Sequence, residues 1–372
     1  MAGIYLHIPF CKKACTYCNF HFSTSFKHQE NVLAAIVQEL KQRAASFNYP
    51  VETIYFGGGT PSILNENQLS LFFKVLEKHY DITSSPEITL EANPDDLNSE
   101  KIKLLKKTGV NRLSIGIQSF KTEDLQFMNR THTAQEAESA IKRSQDTGIE
   151  NISVDLIYGT PTLTNSDWLV NLKKITALEV THLSAYALTV EPKTALFHQV
   201  HTTKKVIMDE EKSLEQFELL MDFAPQNGFE QYEISNFSKK GFISRHNSAY
   251  WLDKPYLGVG PSAHSFQDNT RRWNLSNNLN YVNKINNQAV YFEQEHLTDK
   301  DLYNEKIFLK LRTKWGLSLD ELPNDTFKNF FIKNVEKFIQ QQLINHEKDT
   351  FTLTTKGKTL ADYIAQELFY VE

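Results

Sequence analysis

The sequence has few cysteines, little net charge and no long apolar run. Three cysteines among 372 residues exclude a disulfide-stapled scaffold. No stretch approaches the roughly 18 apolar residues that a transmembrane helix needs, and the N-terminal residues MAGIYLHIPFCKK lack the pattern of a signal peptide. With a net charge of -5, the chain also lacks the basic surplus of a nucleic-acid-binding protein. We therefore expect a cytoplasmic protein that does not act on nucleic acid.

The first 230 residues alternate short β-branched runs with amphipathic helical patterns. Such alternation is typical of βα units around a parallel sheet. We predict strands at 4–8, 53–56, 87–91, 112–117, 152–157 and 182–188, each followed by a helix. Six units are two short of a closed eight-stranded barrel, and no G-x-G-x-x-G follows the first strand, as a Rossmann sheet would require. The predicted fold is α/β, a partial (β/α)6 barrel.

The remaining third of the chain has a different pattern. A polar run at 235–244 suggests a boundary, which gives domains 1–235 and 236–372. Helices are predicted near 281–290, 300–314, 329–343 and 360–369, with a short strand pair around 351–354. A helix followed by a small β-wing indicates a winged-helix-like α+β module. Basic and acidic residues are equally frequent after Lys300, which favours a structural or protein-contact role over DNA binding.

All three cysteines lie within eight residues directly after the first predicted strand. Cys11, Cys15 and Cys18 form a C-x3-C-x2-C motif in a loop at the carboxyl end of that strand, where barrel active sites gather. Three thiolates can hold three irons of a 4Fe-4S cubane and leave the fourth iron open. A Cys3His zinc site completed by His21 or a distant histidine is the alternative.

Further candidate residues follow the later strands. The run GGGTP at 57–61 follows the second strand, and glycines there allow close approach of a ligand, although a simple tight turn would have the same sequence. No G-K-[ST] follows, which argues against a nucleotide phosphate loop. Glu91, Gln118 and Asp155 lie near the ends of apolar strands, where unpaired polar groups are costly. Together they predict a binding site at the barrel mouth, although each alone would also suit a satisfied core residue.

The cysteine spacing, with Tyr17 just before Cys18, resembles the radical SAM superfamily. That resemblance implies a 4Fe-4S cluster whose open iron is chelated by S-adenosylmethionine, and an electron donor that reduces the cluster. Matching motifs imply the following S-adenosylmethionine contacts: Tyr5, Tyr17, Gly58, Gly59, Thr60, Glu91, Gln118, Arg130, Asp155 and Ala187.

Within the superfamily, the runs YLHIPFC, GGGTP, EANP, GIQSF and DLIYG resemble the oxygen-independent coproporphyrinogen III oxidases and their relatives. The oxidases carry a further cysteine two residues after the third cluster ligand, where this chain has Phe20. The departure, together with H-N-x-x-Y-W at 246–251, resembles the HemW-type heme chaperones. This implies heme binding by His246, Tyr250 and Trp251, with His246 as the iron ligand.

Two functional hypotheses follow from the resemblance. One is a heme chaperone that passes heme to acceptor proteins such as respiratory enzymes, and it allows a homodimer and transient contact with a membrane. The other is an enzyme of porphyrin biosynthesis that decarboxylates coproporphyrinogen. Radical chemistry on another substrate is a third reading, because the set of S-adenosylmethionine contacts is intact. The loss of the extra cysteine at Phe20 favours the chaperone.

Overall fold

Six parallel strands form the centre of the molecule. The computed structural model describes residues 2–371 of the chain. These strands are β1 (Ala2–Ile8), β2 (Val51–Gly58), β3 (Ile82–Ala92), β4 (Arg112–Gln118), β5 (Asn151–Tyr158) and β6 (His182–Ala187). Each pairs in parallel with the next strand of the chain. Parallel neighbours need long crossover connections, and helices supply them here. The predicted partial (β/α)6 barrel is confirmed.

Most of the helices between and after these strands begin at a residue whose side chain caps the first turn. The helices are α1 (Gln29–Arg43), α2 (Glu66–His79), α3 (Ser99–Lys107), α4 (Thr122–Phe127), α5 (Ala134–Asp146), α6 (Asn165–Ala177), α7 (Ala195–Phe197) and α8 (Glu210–Gln226). Capping boxes precede α2, α5 and α6, where Asn65, Thr133 and Thr164 each exchange hydrogen bonds with the third residue of the helix. The helices bury apolar faces against the sheet, so the barrel interior and the loops at the strand ends are left for polar side chains.

The large sheet continues beyond the predicted boundary at residue 235. The added elements are β7 (Glu230–Glu233), β8 (Asn236–Ser238), α9 (Arg245–Trp251), β9 (Tyr256–Val259), β10 (His264–Gln267), β11 (Thr270–Asn274), α10 (Asn278–Asn286) and β12 (Phe292–His296). Strand β8 pairs with β6 at one edge of the sheet, and β9 pairs in parallel with β1 at the other. Because residues 236–296 complete the first sheet, we propose a division near residue 297 instead of 235.

The C-terminal segment has its own apolar core. It contains α11 (Asp299–Lys310), β13 (Leu317–Ser318), α12 (Asp325–Gln340), β14 (Ile344–Glu347), β15 (Thr350–Leu353), α13 (Thr355–Lys358) and α14 (Ala361–Leu368). The side chains of Tyr303, Phe331 and Phe338 are fully buried in this core, which is separate from the core of the barrel. Strands β13, β15 and β14 form a small antiparallel sheet, so the predicted α+β module is confirmed. Among residues 2–371, no helix has both the length and the apolar character needed to cross a bilayer.

A buried carboxylate fastens the added strands to the barrel. Glu39 on α1 is fully buried and accepts hydrogen bonds from the Gly260 backbone, the Asn274 amide and the Tyr281 hydroxyl, at 2.6 to 3.0 Å. Burial raises the pKa of Glu39, while these donors and the nearby Arg43 lower it. The carboxylate therefore ties α1 to the β9–β10 loop, to β11 and to α10.

Replacing Glu39 with alanine is expected to lower the free energy of unfolding by about 3 to 5 kcal/mol, because three buried hydrogen-bond donors would lose this acceptor. Chemical denaturation followed by circular dichroism measures this change. Glu39→Gln keeps the volume and one acceptor oxygen, so it should cost less. Equal losses in the two variants would contradict the assigned hydrogen-bond network.

Candidate functional site

The cysteine loop lies between β1 and α1 at the carboxyl end of the barrel strands. Its two ends are held together because the Cys11 backbone donates to Ser23 O at 3.0 Å and the Ser23 backbone donates to Pro9 O at 2.9 Å. The Thr60 hydroxyl donates to Cys11 Sγ at 3.3 Å, and Arg130 Nη1 donates to Cys15 Sγ at the same distance. All three thiols are half-buried and free of disulfides. The loop after β2 and the segment after α4 thus contact the cysteine loop directly.

The thiols suit a cluster better than a single metal ion. Among residues 2–371 no three His, Cys, Asp or Glu side chains converge tightly enough to hold one ion. In a cubane each thiolate binds a different iron, so such convergence is not required. Burial raises the pKa of Cys11 to about 11 and also raises that of Cys18, so bound iron must replace their protons. His21, the alternative zinc ligand, has its Nε2 2.7 Å from Asn278 Oδ1.

Glycines allow the loop after β2 to lie against the cysteine loop. The Gly59 and Thr60 backbone amides donate to Ile8 O and Phe10 O at 3.0 and 2.8 Å. A Cβ added to Gly59 would lie 2.7 Å from Ile8 O and from the Phe10 backbone, closer than carbon atoms tolerate. Gly58 has φ +103°, a conformation that disfavours other residues. The predicted glycine run is therefore required where it stands.

Two carboxylates inside the barrel lie close enough for the charge of one to affect the other. Glu91 accepts hydrogen bonds from the Tyr55 hydroxyl at 2.9 Å and the Gly58 backbone at 3.1 Å, and Asp155 accepts from the Ser114 hydroxyl at 3.2 Å. Burial raises the pKa of Glu91 to about 7, and the charge on Asp155 raises it as well. Burial likewise raises the pKa of Asp155 to about 6. A cationic ligand would relieve both effects.

Arg130 links several loops at the barrel mouth. Its Nη2 donates to Gly116 O at 2.6 Å and to Asn93 Oδ1 at 2.7 Å, while its Nη1 reaches Cys15. Gln118 ends β4 with φ +69°, a left-handed conformation that strains a non-glycine residue. Both residues therefore lie at the carboxyl end of β4.

The other predicted S-adenosylmethionine contacts lie at different depths. Tyr17 packs against the small apolar cluster around Met128 and Leu196, and Ala187 is exposed at the end of β6. Tyr5 lies in the middle of β1, where its ring stacks 6.0 Å from the ring of Tyr55. Tyr5 is thus deeper in the barrel than the strand ends.

His246 lies at the end of the barrel opposite the cysteine loop. Helix α9 begins there, and the backbone amides of Arg245 and His246 donate to the Glu87 carboxylate at 3.0 and 2.9 Å. Glu87 on β3 pairs with Thr53 near the amino-terminal end of β2. The Thr53 hydroxyl is 2.8 Å from His246 Nδ1. The imidazole is only 2% exposed. It is therefore a buried group inside the barrel and not a surface histidine.

The second imidazole nitrogen is also engaged. His246 Nε2 lies 2.9 Å from the Tyr250 hydroxyl, and the ring stacks on Tyr55 with centroids 4.9 Å apart. Burial, aided by the charge of Arg112, lowers the pKa of His246 to about 3. The ring is therefore neutral at physiological pH, which is the form that binds iron. Iron could reach Nε2 only after the Tyr250 hydroxyl moves away.

A cavity of about 640 Å³ lies beside this histidine, between the barrel and the C-terminal segment. Its lining residues from the barrel and the strands after it are Tyr5, Tyr55, Glu91, Tyr186, Glu233, Ile234, Ser235, Asn236, His246, Asn247, Tyr250 and Trp251. Leu309, Arg312 and Asp362 line it from the C-terminal segment. All three residues of the predicted heme motif thus face one cavity, whose size is within the usual range for small-molecule sites.

Sequence reasoning missed several residues that shape this site. Thr53, Tyr55 and Glu87 occupy interior positions in β2 and β3. A signal was present, because Thr53 and Tyr55 alternate with apolar residues along a strand that is otherwise buried on both faces. Arg312 gave no such signal, since it lies in a charged segment of ordinary appearance.

Comparison with known proteins agrees with this geometry. The model of the radical SAM superfamily matches residues 5–175, and the model of the HemN C-terminal domain matches residues 297–360. The coproporphyrinogen III oxidase HemN from Escherichia coli, described as a radical SAM enzyme, has the same fold: the TM-score is 0.85 over 99% of this chain and 89% of that one, at 23% identity. Fold and cysteine site together define a radical SAM protein.

Full-length relatives narrow the class further. The heme chaperone HemW of Bacillus subtilis is 33% identical over 98% of this chain and 98% of its own length. The heme chaperone HemW of Lactococcus lactis is 32% identical over 98% of this chain and 96% of its own. The chain therefore belongs to the HemW family of heme chaperones.

Proposed function

We propose that this protein is a cytoplasmic heme chaperone that binds a 4Fe-4S cluster, S-adenosylmethionine and heme, and passes heme to acceptor proteins. The observation that carries the proposal is the full-length similarity to HemW heme chaperones. The cavity beside His246, Tyr250 and Trp251 supports it, since a heme donor needs an aromatic-lined pocket with an iron ligand. Reducing conditions would keep the three cysteines free of disulfides and available to bind the cluster.

In this proposal Cys11, Cys15 and Cys18 hold the cluster, and S-adenosylmethionine lies between the cysteine loop and the barrel interior. The amino and carboxylate groups of S-adenosylmethionine would chelate the iron that the three cysteines leave open. Glu91 and Asp155 would face its cationic groups, and Gly58, Gly59 and Thr60 would let the ligand approach the backbone. Arg130 would hold the strand ends around it. Tyr5, Tyr17, Gln118 and Ala187 would complete the site.

Heme would occupy the cavity at the junction with the C-terminal segment, with His246 as iron ligand. Because the Tyr250 hydroxyl lies 2.9 Å from Nε2, ligation of iron by this nitrogen requires a side-chain movement. The hydroxyl competes with iron for the same nitrogen, which weakens binding and favours release. Reversible capture of this kind is what a chaperone needs, in contrast to a storage protein.

A transfer assay tests the proposal. The cluster-reconstituted protein is loaded with heme without oxygen and mixed with an apo-globin, whose own absorbance reports arrival of heme. We expect heme to move to the globin faster than free heme is lost to buffer aggregates. Heme that stays on the loaded protein, or a chain that takes up no heme, would contradict chaperone function.

Affinity for S-adenosylmethionine is expected to rise with pH. Burial raises the pKa of Glu91 to about 7. A cationic ligand therefore binds more tightly once the Glu91 carboxyl has lost its proton. Between pH 6 and pH 8 the dissociation constant should fall roughly tenfold. Isothermal titration of the cluster-loaded protein measures this. Glu91→Gln, which cannot ionise, should bind more weakly and show a flatter profile, whereas an unchanged profile would remove Glu91 from the site.

A further inference from the structure

The cavity beside His246 has one strong cation, and it comes from the C-terminal segment. Arg312 lies just after α11 and is the only arginine or lysine among the described residues that line the cavity. The cavity otherwise combines aromatic and apolar side chains with the carboxylates of Glu91, Glu233 and Asp362. A buried guanidinium in such a place calls for an anionic partner.

The guanidinium is held in place by the protein itself. Arg312 Nη1 donates to Phe308 O at 2.9 Å, and the group lies 3.6 Å from the centre of the Phe308 ring. The following residues are fixed to the barrel, since Thr313 forms a bridge with Glu233 and the Lys314 backbone donates to Tyr232 O at 3.0 Å. These contacts within the protein therefore fix the position of Arg312 at the junction.

Its present ionic partner is weakly held. Arg312 Nη2 pairs with Asp362 on α14, whose side chain is 90% exposed. Pairs with an exposed partner contribute little to stability, because water competes for the carboxylate. The other nearby carboxylate, Glu233, accepts instead from the Ser235 backbone and the Asn236 amide. A ligand carboxylate in the cavity could therefore replace Asp362 at low cost.

We propose that Arg312 binds a propionate carboxylate of the heme, so that the C-terminal segment supplies the anion-binding half of the heme site and the barrel supplies the iron ligand. The inference rests on the proposed function and adds a residue that recognises the porphyrin periphery. A planar guanidinium binds a carboxylate through two parallel hydrogen bonds, which suits it to this role. In this proposal the ion pair between Arg312 and Asp362 is exchanged for one between Arg312 and the propionate when heme binds.

The test compares heme with its dimethyl ester, in which both propionates are methylated and uncharged. Each is titrated into the full-length, cluster-loaded protein and into Arg312→Ala. The unsubstituted protein should prefer heme over the ester by about 10- to 100-fold, and Arg312→Ala should lose this preference while binding the ester as before. Lys314→Ala removes a neighbouring positive charge outside the cavity lining and should keep the preference.

A second variant predicts an increase in heme affinity and leaves the buried core unchanged. Asp362→Asn removes the competing carboxylate from an exposed position, so heme should bind several-fold more tightly and the ester should bind unchanged. A heme preference that survives in Arg312→Ala, or weaker heme binding by Asp362→Asn, would overturn the inference. Failure of the unsubstituted protein to bind either compound would instead overturn the proposed function itself.

Discussion

Cys15→Ala protein is expected to contain no 4Fe-4S cluster after anaerobic reconstitution. The physical reason is that three thiolates hold three irons of the cubane, and no fourth cysteine exists in the sequence to replace a lost ligand. Arg130 Nη1, which lies 3.3 Å from Cys15 Sγ, would also lose this hydrogen-bond acceptor. Iron and sulfide analysis, together with the visible absorbance of the cluster, measure the change. We expect iron content to fall nearly to that of the untreated apoprotein.

Phe20 provides the control for this experiment. It occupies the place of the oxidases' additional cysteine and is 69% exposed, so Phe20→Cys should change neither the fold nor the cluster content. A Cys15→Ala protein that retained a full cluster would contradict the assigned ligand set. Retention of only a single zinc ion per chain by the unsubstituted protein would favour the zinc alternative.

His246→Ala is expected to weaken heme binding by at least about tenfold, because it removes the iron ligand from the cavity. Heme titration followed by absorbance measures the dissociation constant, and loss of the spectrum of a histidine-ligated heme reports the ligand directly. The cluster absorbance should remain, since His246 lies at the other end of the barrel. An unchanged titration would remove His246 from the heme site.

Tyr250→Phe separates a ligand role from a packing role. The substitution keeps the ring and removes only the hydroxyl that lies 2.9 Å from His246 Nε2. If iron binds this nitrogen, heme affinity should rise, because the competitor is gone. A fall in affinity would mean that the hydroxyl itself supports heme binding and does not compete with iron for Nε2.

The sequence predicted the barrel well because its signals are local. Apolar runs such as those of β2 and β5 alternate with capped helices, and capping boxes at Asn65 and Thr164 follow directly from residue order. The cysteine loop followed from the same reasoning, since a loop after the first strand must lie at the barrel mouth.

The later strands of the large sheet could not be predicted in this way. Strand β9 pairs with β1 across about 250 residues of chain, and its position depends on Glu39, which is buried against Gly260. Such pairing depends on packing between distant segments, and the four-residue strand carries no clear alternation of its own. The sequence pattern therefore predicted a domain division at residue 235, whereas strands of the large sheet continue to residue 296.

Burial at the heme motif was equally hidden from the sequence. The motif H-N-x-x-Y-W indicated a histidine ligand but not its surroundings, and the fold places His246 between Thr53 and Tyr250 with both ring nitrogens engaged. Thr53 is almost 200 residues away in the chain, so only the folded barrel reveals the contact. Likewise, Arg312 reaches the same cavity only because the segment after α11 docks on β7.

The most direct test of the central claim is an anaerobic heme titration of the cluster-reconstituted protein, run beside an assay for coproporphyrinogen decarboxylation with S-adenosylmethionine and a reductant. We predict saturable binding of about one heme per chain and no decarboxylated product, as expected when the cavity beside His246 serves a chaperone. Decarboxylation dependent on S-adenosylmethionine, without specific heme binding, would contradict this account and identify an oxidase that functions with Phe20 in place of the additional cysteine.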